Sequence, residues 1–428
     1  MSLRVLLRQL ALVLLVTGCA KESTVEPLPL EEFSVHEAIP VRSVPIPATN
    51  GMALLCKRAI DDPVLAYALL FDANGALNGR IDFNGLPNTV ENIAFEPESW
   101  FITDLVPAPD GTFLLIGLGR QVDLADRLHL LVYRVNAAGY SISAPVRRYV
   151  TDQCTLVRAE DMDQLYRTAA RAALRTTEHL VATVRYDRQE GPIVNGYHRS
   201  FQIGLATGAG SYGTPAVEFN DPGHALHHVL ADDQGGSYLL MDTTNAQGPG
   251  THLLVKHIAW SSQSLGMVEE GILELRDAEP NAAFVQGGDL VLAGAYQVEA
   301  DVRRPFFCRA PSVTGMNAGI TFPDLGSLGR SALIGALTPT DNGFIASGQV
   351  YEQSVISLRA MRDDRFCDLV SAQLGPAGVQ QESWVIIPGK GLRALGAWGA
   401  DGRSVAGAFH PFLNTDYIHA FVLSTSTP

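Results

Sequence analysis

Basic residues are scarce in this chain and nowhere run together. Its 428 residues include 31 Lys and Arg against 45 Asp and Glu, a formal charge of −14. An acidic surface with no cluster of cations repels nucleic acid and anionic lipid alike, which argues against both as partners. Familiar catalytic and metal signatures are also missing. No C-x-x-C pair, H-E-x-x-H, D-x-D-x-D-G loop, Walker loop or Rossmann fingerprint occurs. Ala209-Gly210-Ser211-Tyr212-Gly213 departs from G-x-S-x-G at its first position. No cofactor and no metal are expected. Nor is there an apolar run near the roughly 20 residues that a membrane-spanning helix needs.

The hydrophobic stretch that is present is short and lies at the start. Arg4 and Arg8 precede an apolar run over residues 10–16, and Val16-Thr17-Gly18-Cys19 then sets small residues before a cysteine. That order of charge, apolar run and small residues is an export signal. The last four residues resemble the lipobox of bacterial lipoproteins. The resemblance implies a lipid on Cys19 and a body held at the bacterial cell envelope by its N-terminus alone, at the outer membrane, periplasmic or surface-facing. Residues 1–18 are then signal peptide and 19–32 an acidic, proline-bearing tether. Residues 33–428 form the folded domain, and loss of the two signal arginines brings the charge to about −16. Cys56, Cys154, Cys308 and Cys367 follow. Export permits disulfides among them, and the apolar neighbours of Cys56, Cys308 and Cys367 equally suit buried thiols.

The domain repeats itself. A strand, a polar turn and a second strand recur at 102–119, 282–296, 333–350 and 384–398. In these copies a glycine falls four residues after the first large apolar residue of the second strand, pairing Phe113 with Gly117, Leu290 with Gly294, Phe344 with Gly348, and Leu392 with Gly396. Glycine inside a strand is unfavourable, so its return in register marks a shared structural demand. Weaker copies lie at 41–56, 170–186 and 226–242, and add the landmarks Met52, Leu180 and Tyr238. Adjacent landmarks stand roughly 50 to 65 residues apart, the spacing of propeller blades.

Between these hairpins, 65–71 leads into the turn Asp72 to Gly75, and 128–135 into Asn136 to Gly139. Four strands per unit and seven units predict an all-β, seven-bladed β-propeller of four-stranded antiparallel blades. The architecture is similar to propellers of many exported bacterial proteins, but Kelch, WD40 and Asp-box signatures are absent. Residues 33–41 are expected to pair with 417–424 and close the last blade. Residues 161–175 are rich in helix formers, yet a strand from Ala169 fits the repeat.

Loops joining second and third strands are expected on one rim. Arg120, Asp123, Arg188, Tyr197, His198, Arg303, Arg304, Trp398 and Arg403 are its candidate binding residues, since Arg, Tyr and Trp anchor interfaces. The pairs Asp61-Asp62, Asp232-Asp233 and Asp363-Asp364 read as turn formers. Strand alternation places His227 and His228 on opposite faces, with His224 in the preceding turn. The expectation is a non-catalytic, lipid-anchored, monomeric binding or scaffold protein whose partner is an envelope protein or glycan. The alternative is a propeller enzyme, a glycan hydrolase or lyase with acidic and histidine residues at the channel mouth.

Overall fold

The computed structural model describes residues 31–36, 39–57, 65–73, 76–97, 100–154, 169–190, 193–205, 216–220, 224–232, 235–244, 251–260, 267–299, 302–311, 319–325, 327, 330–351, 367–387, 393–400, 403–409 and 417–426. Cys19 and the other residues of the expected signal and tether up to residue 30 lie outside them, as do Asp61-Asp62, Asp363-Asp364 and residues 209–213. The regular elements are all β-strands, so the fold is all-β.

β1 (Glu31–His36) pairs antiparallel with the last strand of the chain. β2 (Ile39–Ile46), β3 (Gly51–Lys57), β4 (Leu65–Phe71) and β5 (Leu77–Asp82) follow as an up-and-down set. A short hairpin, β6 (Thr89–Val90) with β7 (Ile93–Ala94), separates it from the next set. That set is β8 (Phe101–Pro107), β9 (Phe113–Gln121), β10 (Leu124–Val135) and β11 (Val146–Thr151). The two sets join as one eight-stranded sheet through one pair, Leu65 with Ile102.

Four-stranded antiparallel sheets then succeed one another in chain order. The first holds β12 (Ala169–Thr176), β13 (His179–Glu190), β14 (Ile193–Gly204) and β15 (Ala216–Asn220). Next come β16 (His224–Ala231), β17 (Ser237–Thr244), β18 (Thr251–Ala259) and β19 (Met267–Leu275). After them come β20 (Ala278–Gln286), β21 (Asp289–Glu299), β22 (Val302–Pro311) and β23 (Gly319–Thr321). β24 (Ala332–Thr340), β25 (Gly343–Tyr351), β26 (Cys367–Leu374) and β27 (Gln380–Ile387) form another. The last sheet takes β28 (Arg393–Ala400), β29 (Arg403–Phe409), β30 (Tyr417–Ser426) and β1 at its edge.

Successive side chains of a strand point to opposite faces, and here both faces are apolar. In β9, Phe113 and Leu115 join a core with Ala53, Leu55, Ala68 and Leu70 of β3 and β4. Leu114, Ile116 and Leu118 turn the other way, to Ala170, Leu180, Ala182, Val184 and Phe201. The same sorting packs Tyr238, Leu240 and Val255 on Leu290, Leu292 and Phe306, and Val291, Ala293 and Phe307 on Phe344, Ala346 and Val370. The sheets that hold β9 and β21 are thus covered on both faces, and each buried Leu contributes roughly 1.5–3 kcal/mol. Among the fourth strands β5 is largely exposed and β15 is half-buried to exposed, so solvent contact rises toward that edge.

First strands share an irregularity. Their ladders to the second strands skip one residue: Val41 in β2, Thr103 in β8, His227 in β16, Asn281 in β20, Gly335 in β24 and Leu395 in β28. These are β-bulges. β12 runs straight through the same level, with Arg171 facing Thr183. The periodic glycines answer the bulges. A Cβ at Gly294 would lie 1.9 Å from the Glu279 carbonyl oxygen, and one at Gly348 2.2 Å from that of Leu333. The first strands also touch in sequence, β2 with β8, then β12, β16, β20, β24 and β28, and β28 touches β2.

The N-terminal pairing differs from expectation in extent. β1 pairs Phe33 with Ala420 and ends at His36, whereas residues 39–41 belong to β2, which bonds β3. The segment 384–398 is not a hairpin. Trp384 pairs with Ser371 in β26, while Gly396 lies in β28 and faces Gly407 of β29. That copy therefore straddles the crossing between two sheets, from a fourth strand to a first. Ala169 does open a strand, β12. Cys56 and Cys308 are buried thiols, each pushed up to about 12 chiefly by burial, and Cys154 and Cys367 are buried too.

Candidate functional site

A bulge leaves a strand carbonyl without its ladder partner, and buried carbonyls need donors. Arg171, on the unbulged β12, supplies them on both sides. Its Nη1 donates to the Thr103 carbonyl at 2.9 Å and to that of Ala170 at 3.0 Å, and its Nε to the His227 carbonyl at 3.1 Å. Thr103 Oγ1 adds a bond to the Ala170 carbonyl at 3.0 Å. Beside it, the buried Asp104 carboxylate accepts from the Arg42 guanidinium, from the Leu105 N–H at 2.7 Å and from the Ala172 N–H at 3.1 Å. Residues from β2, β8, β12 and β16 therefore meet at one level.

His227 and His228 complete this cluster, with ring centroids 6.5 Å apart. Simple alternation places them on opposite faces; the bulge at His227 cancels that alternation and overturns the expectation. Burial, then Arg42, His227 and Arg171, hold His228 well below the usual histidine range, so it is neutral. Burial first, then the Arg42 charge, bring Arg171 down to about 10 against the opposing pull of Asp104. It remains a cation at neutral pH. Arg42, Arg171 and His228 are half-buried and keep contact with solvent.

A second polar group lies on the long β13–β14 hairpin. Arg188 Nη2 donates to Glu218 at 2.9 Å and to the Tyr186 hydroxyl at 3.0 Å, and Nη1 lies 3.8 Å from Glu190. Its guanidinium carbon stands 4.2 Å from the ring centre of Tyr197, whose hydroxyl donates to Glu190 at 2.6 Å. The Tyr186 hydroxyl donates to Glu218, and Arg199 lies 3.8 Å from the same carboxylate. Arg188 and Tyr197 are the expected rim residues that the structure brings into contact.

The other rim candidates are dispersed. His198 is fully buried and stacks on Phe219, centroids 5.3 Å apart, so it presents no surface to a ligand. Arg303 is buried with Glu279 3.8 Å away, while Arg304 beside it is exposed. Arg120 is half-buried on β9, and Asp123 is exposed in the β9–β10 turn. Trp398 and Arg403 are strand residues opposite Val405 and Ala400. Most candidates thus ride on strands, not loops, because second and third strands extend further than their apolar runs suggest. His224 likewise opens β16, and Asp232 caps a tight turn, accepting from the Gly236 N–H and standing 2.5 Å from His257 Nε2.

Arg42, Asp104 and Arg171 were not among the residues picked from sequence. Their signal was present. Arg42, Asp104, Arg171 and His228 each interrupt a first strand nine or ten residues ahead of a landmark, namely Met52, Phe113, Leu180 and Tyr238.

No protein-family model matches the chain, and no curated protein matches it. Among solved structures it is similar to polysaccharide lyase Uly1, at 12% identity over 91% of this chain and 90% of that one, with a TM-score of 0.44. It is also similar to a subtype N10 neuraminidase-like protein of A/little yellow-shouldered bat/Guatemala, at 11% identity, 78% and 97% coverage and a TM-score of 0.39. Prolyl oligopeptidase B from Galerina marginata aligns at 11% identity over 87% of this chain, with a TM-score of 0.43. The chain spans 47% of that protein's length. Likeness at this level carries no argument about chemistry.

Proposed function

We propose that this chain is a lipid-anchored, non-catalytic binding protein of a bacterial envelope, built as a seven-bladed β-propeller. Seven successive groups of four strands, first strands in cyclic contact and β1 completing the last sheet support the architecture. The bulge level of the first strands then lines the axial channel. The observation that favours binding over catalysis is the state of the carboxylates. Asp104 is fixed by three donors, and Glu218 by Tyr186 and Arg188, which leaves neither poised to move a proton. Partners are an envelope protein or a glycan, met at the rim around Arg188 and Tyr197 or at the axis, and the protein acts as a monomer.

Two experiments test this reading. Replacing Cys19 with Ala is expected to move the protein from the membrane to the soluble fraction and abolish fatty-acid labelling; unchanged membrane retention overturns the anchor. Incubation with a panel of polysaccharides and envelope proteins is expected to give complexes from which the glycan is recovered intact. Glycan cleavage lost on Asp104→Asn or His228→Phe would instead establish the enzyme, a reading kept specific by Arg42 and Arg171, which act on both Asp104 and His228.

A further inference from the structure

We propose that the axial cluster is a binding site for a single carboxylate group, clasped between Arg42 and Arg171. This rests on the binding reading above and names the chemistry of what enters the axis. The donor inventory comes first. Arg171 uses Nε and Nη1 on three carbonyls, which leaves the Nη2 hydrogens. Arg42 gives Nη2 to Asp104 and keeps Nε and Nη1. Among the described residues no acceptor takes these donors, and the His228 ring makes no hydrogen bond. Arg42 keeps 25% of its side-chain exposure while Asp104 keeps 5%, so the free donors face solvent and the counter-ion does not.

Charge then selects the anion. Two guanidinium cations stand against one carboxylate, and His228 is neutral, so the described residues leave one positive charge. A monoanion balances it. A dianionic phosphate would leave a negative charge beside the buried Asp104. Shape agrees, because a planar carboxylate matches the fork of a guanidinium better than a tetrahedral ion does. Arg171 is held only by neutral carbonyls, an arrangement that orients a cation without cancelling it. His228, as a neutral imidazole, offers one N–H and one acceptor to whatever flanks the carboxylate.

The test uses the full chain purified in detergent, with binding read by calorimetry and ligand-observed NMR. Acetate, galacturonate and N-acetylglycine stand for a simple acid, an acidic sugar and a peptide terminus; acetamide and galactose are their neutral controls. At least one carboxylate is expected to bind and the neutral controls not to. Arg42→Gln is expected to weaken that binding at least about tenfold in a protein that still melts cooperatively, at a lower temperature because the buried Asp104 loses its counter-ion. Asp104→Asn should tighten it about tenfold and admit inorganic phosphate, a gain that unfolding cannot mimic. Carboxylates binding no better than neutral controls, or binding indifferent to Arg42→Gln, overturns the site. If they fail while a glycan or envelope protein still binds and is lost with Arg188→Ala, the axial site falls and the binding reading stands. Conversion of a bound carboxylate into a new product keeps the site and overturns the non-catalytic reading.

Discussion

Arg171 and Arg188 sit in the same sheet, both half-buried, yet they are held in opposite ways. Arg188 is surrounded by carboxylates, Glu218 and Glu190, and by the faces and hydroxyls of Tyr186 and Tyr197. Its charge is neutralised where it stands. Arg171 is fixed by the carbonyls of Ala170 and of two bulged residues, Thr103 and His227. Those oxygens satisfy donors without supplying a counter-charge. The first arrangement stiffens a hairpin; the second holds a cation in readiness at the place where four first strands meet. Position on an exposed hairpin is therefore a weaker guide to a ligand site than the chemistry of what already grips the side chain.

The largest effect expected from this contrast is on stability. Arg171→Met keeps most of the stem but strands the Thr103 and His227 carbonyls, while Thr103 Oγ1 still serves that of Ala170, and should lower the unfolding free energy by about 2–5 kcal/mol in denaturant titrations. Arg188→Met should cost less than about 1 kcal/mol, since Glu218 keeps Tyr186 and Arg199. A reversal of that order breaks the comparison.

Acid sharpens it, because neither arginine loses its charge on acidification while a histidine buried beside arginines resists gaining one. His129 is 1% exposed, and Arg147 Nη1 lies 3.2 Å from its Nδ1. Burial first, then Arg147 and Arg127, lower it from 6.5 to about 3. Between those values the unfolded chain binds a proton that the folded one refuses, so stability present above pH 6.5 is lost as the pH falls toward 3. The loss approaches about 1.4 kcal/mol per pH unit, near 2 kcal/mol at pH 5. His129→Gln should flatten the difference between melts at pH 7.5 and pH 5 by that amount; an unchanged acid slope would show that His129 is already protonated.

Much of the strand order was legible because apolar runs and turn residues repeat. Phe113 with Gly117 and Leu290 with Gly294 lie where the spacing put them, and Asn136 opens its turn with a Gly139 N–H donating to its carbonyl at 2.9 Å. What misled was phase at the end of the chain. Residues 384–398 carry the same composition as a hairpin, and pattern alone does not say which strands bond. The site was less legible for a different reason. A bulge is invisible in composition, and it decides that His227 and His228 share a side and that Arg171 finds two unpaired carbonyls. Charged residues on β13, β14 and β22 read as loops because solvated strand ends and loops have the same polarity.

The smallest effect is the most discriminating for the hairpin. Arg188 and Glu218 keep 18% and 30% of their side-chain exposure, so their attraction acts through water and is screened by salt. A double-mutant cycle of Arg188→Met and Glu218→Gln should give a coupling below about 1 kcal/mol, shrinking further in 1 M salt. Carboxylate binding at the axis should be unchanged in all four proteins, since no residue of this network reaches the Arg42–Asp104 pair. A coupling above about 2 kcal/mol that survives salt would mean the hairpin charges are effectively buried. Arg188 would then be gripped as an interior ion, and the distinction between a neutralised and a waiting arginine would rest on depth instead of on the kind of acceptor.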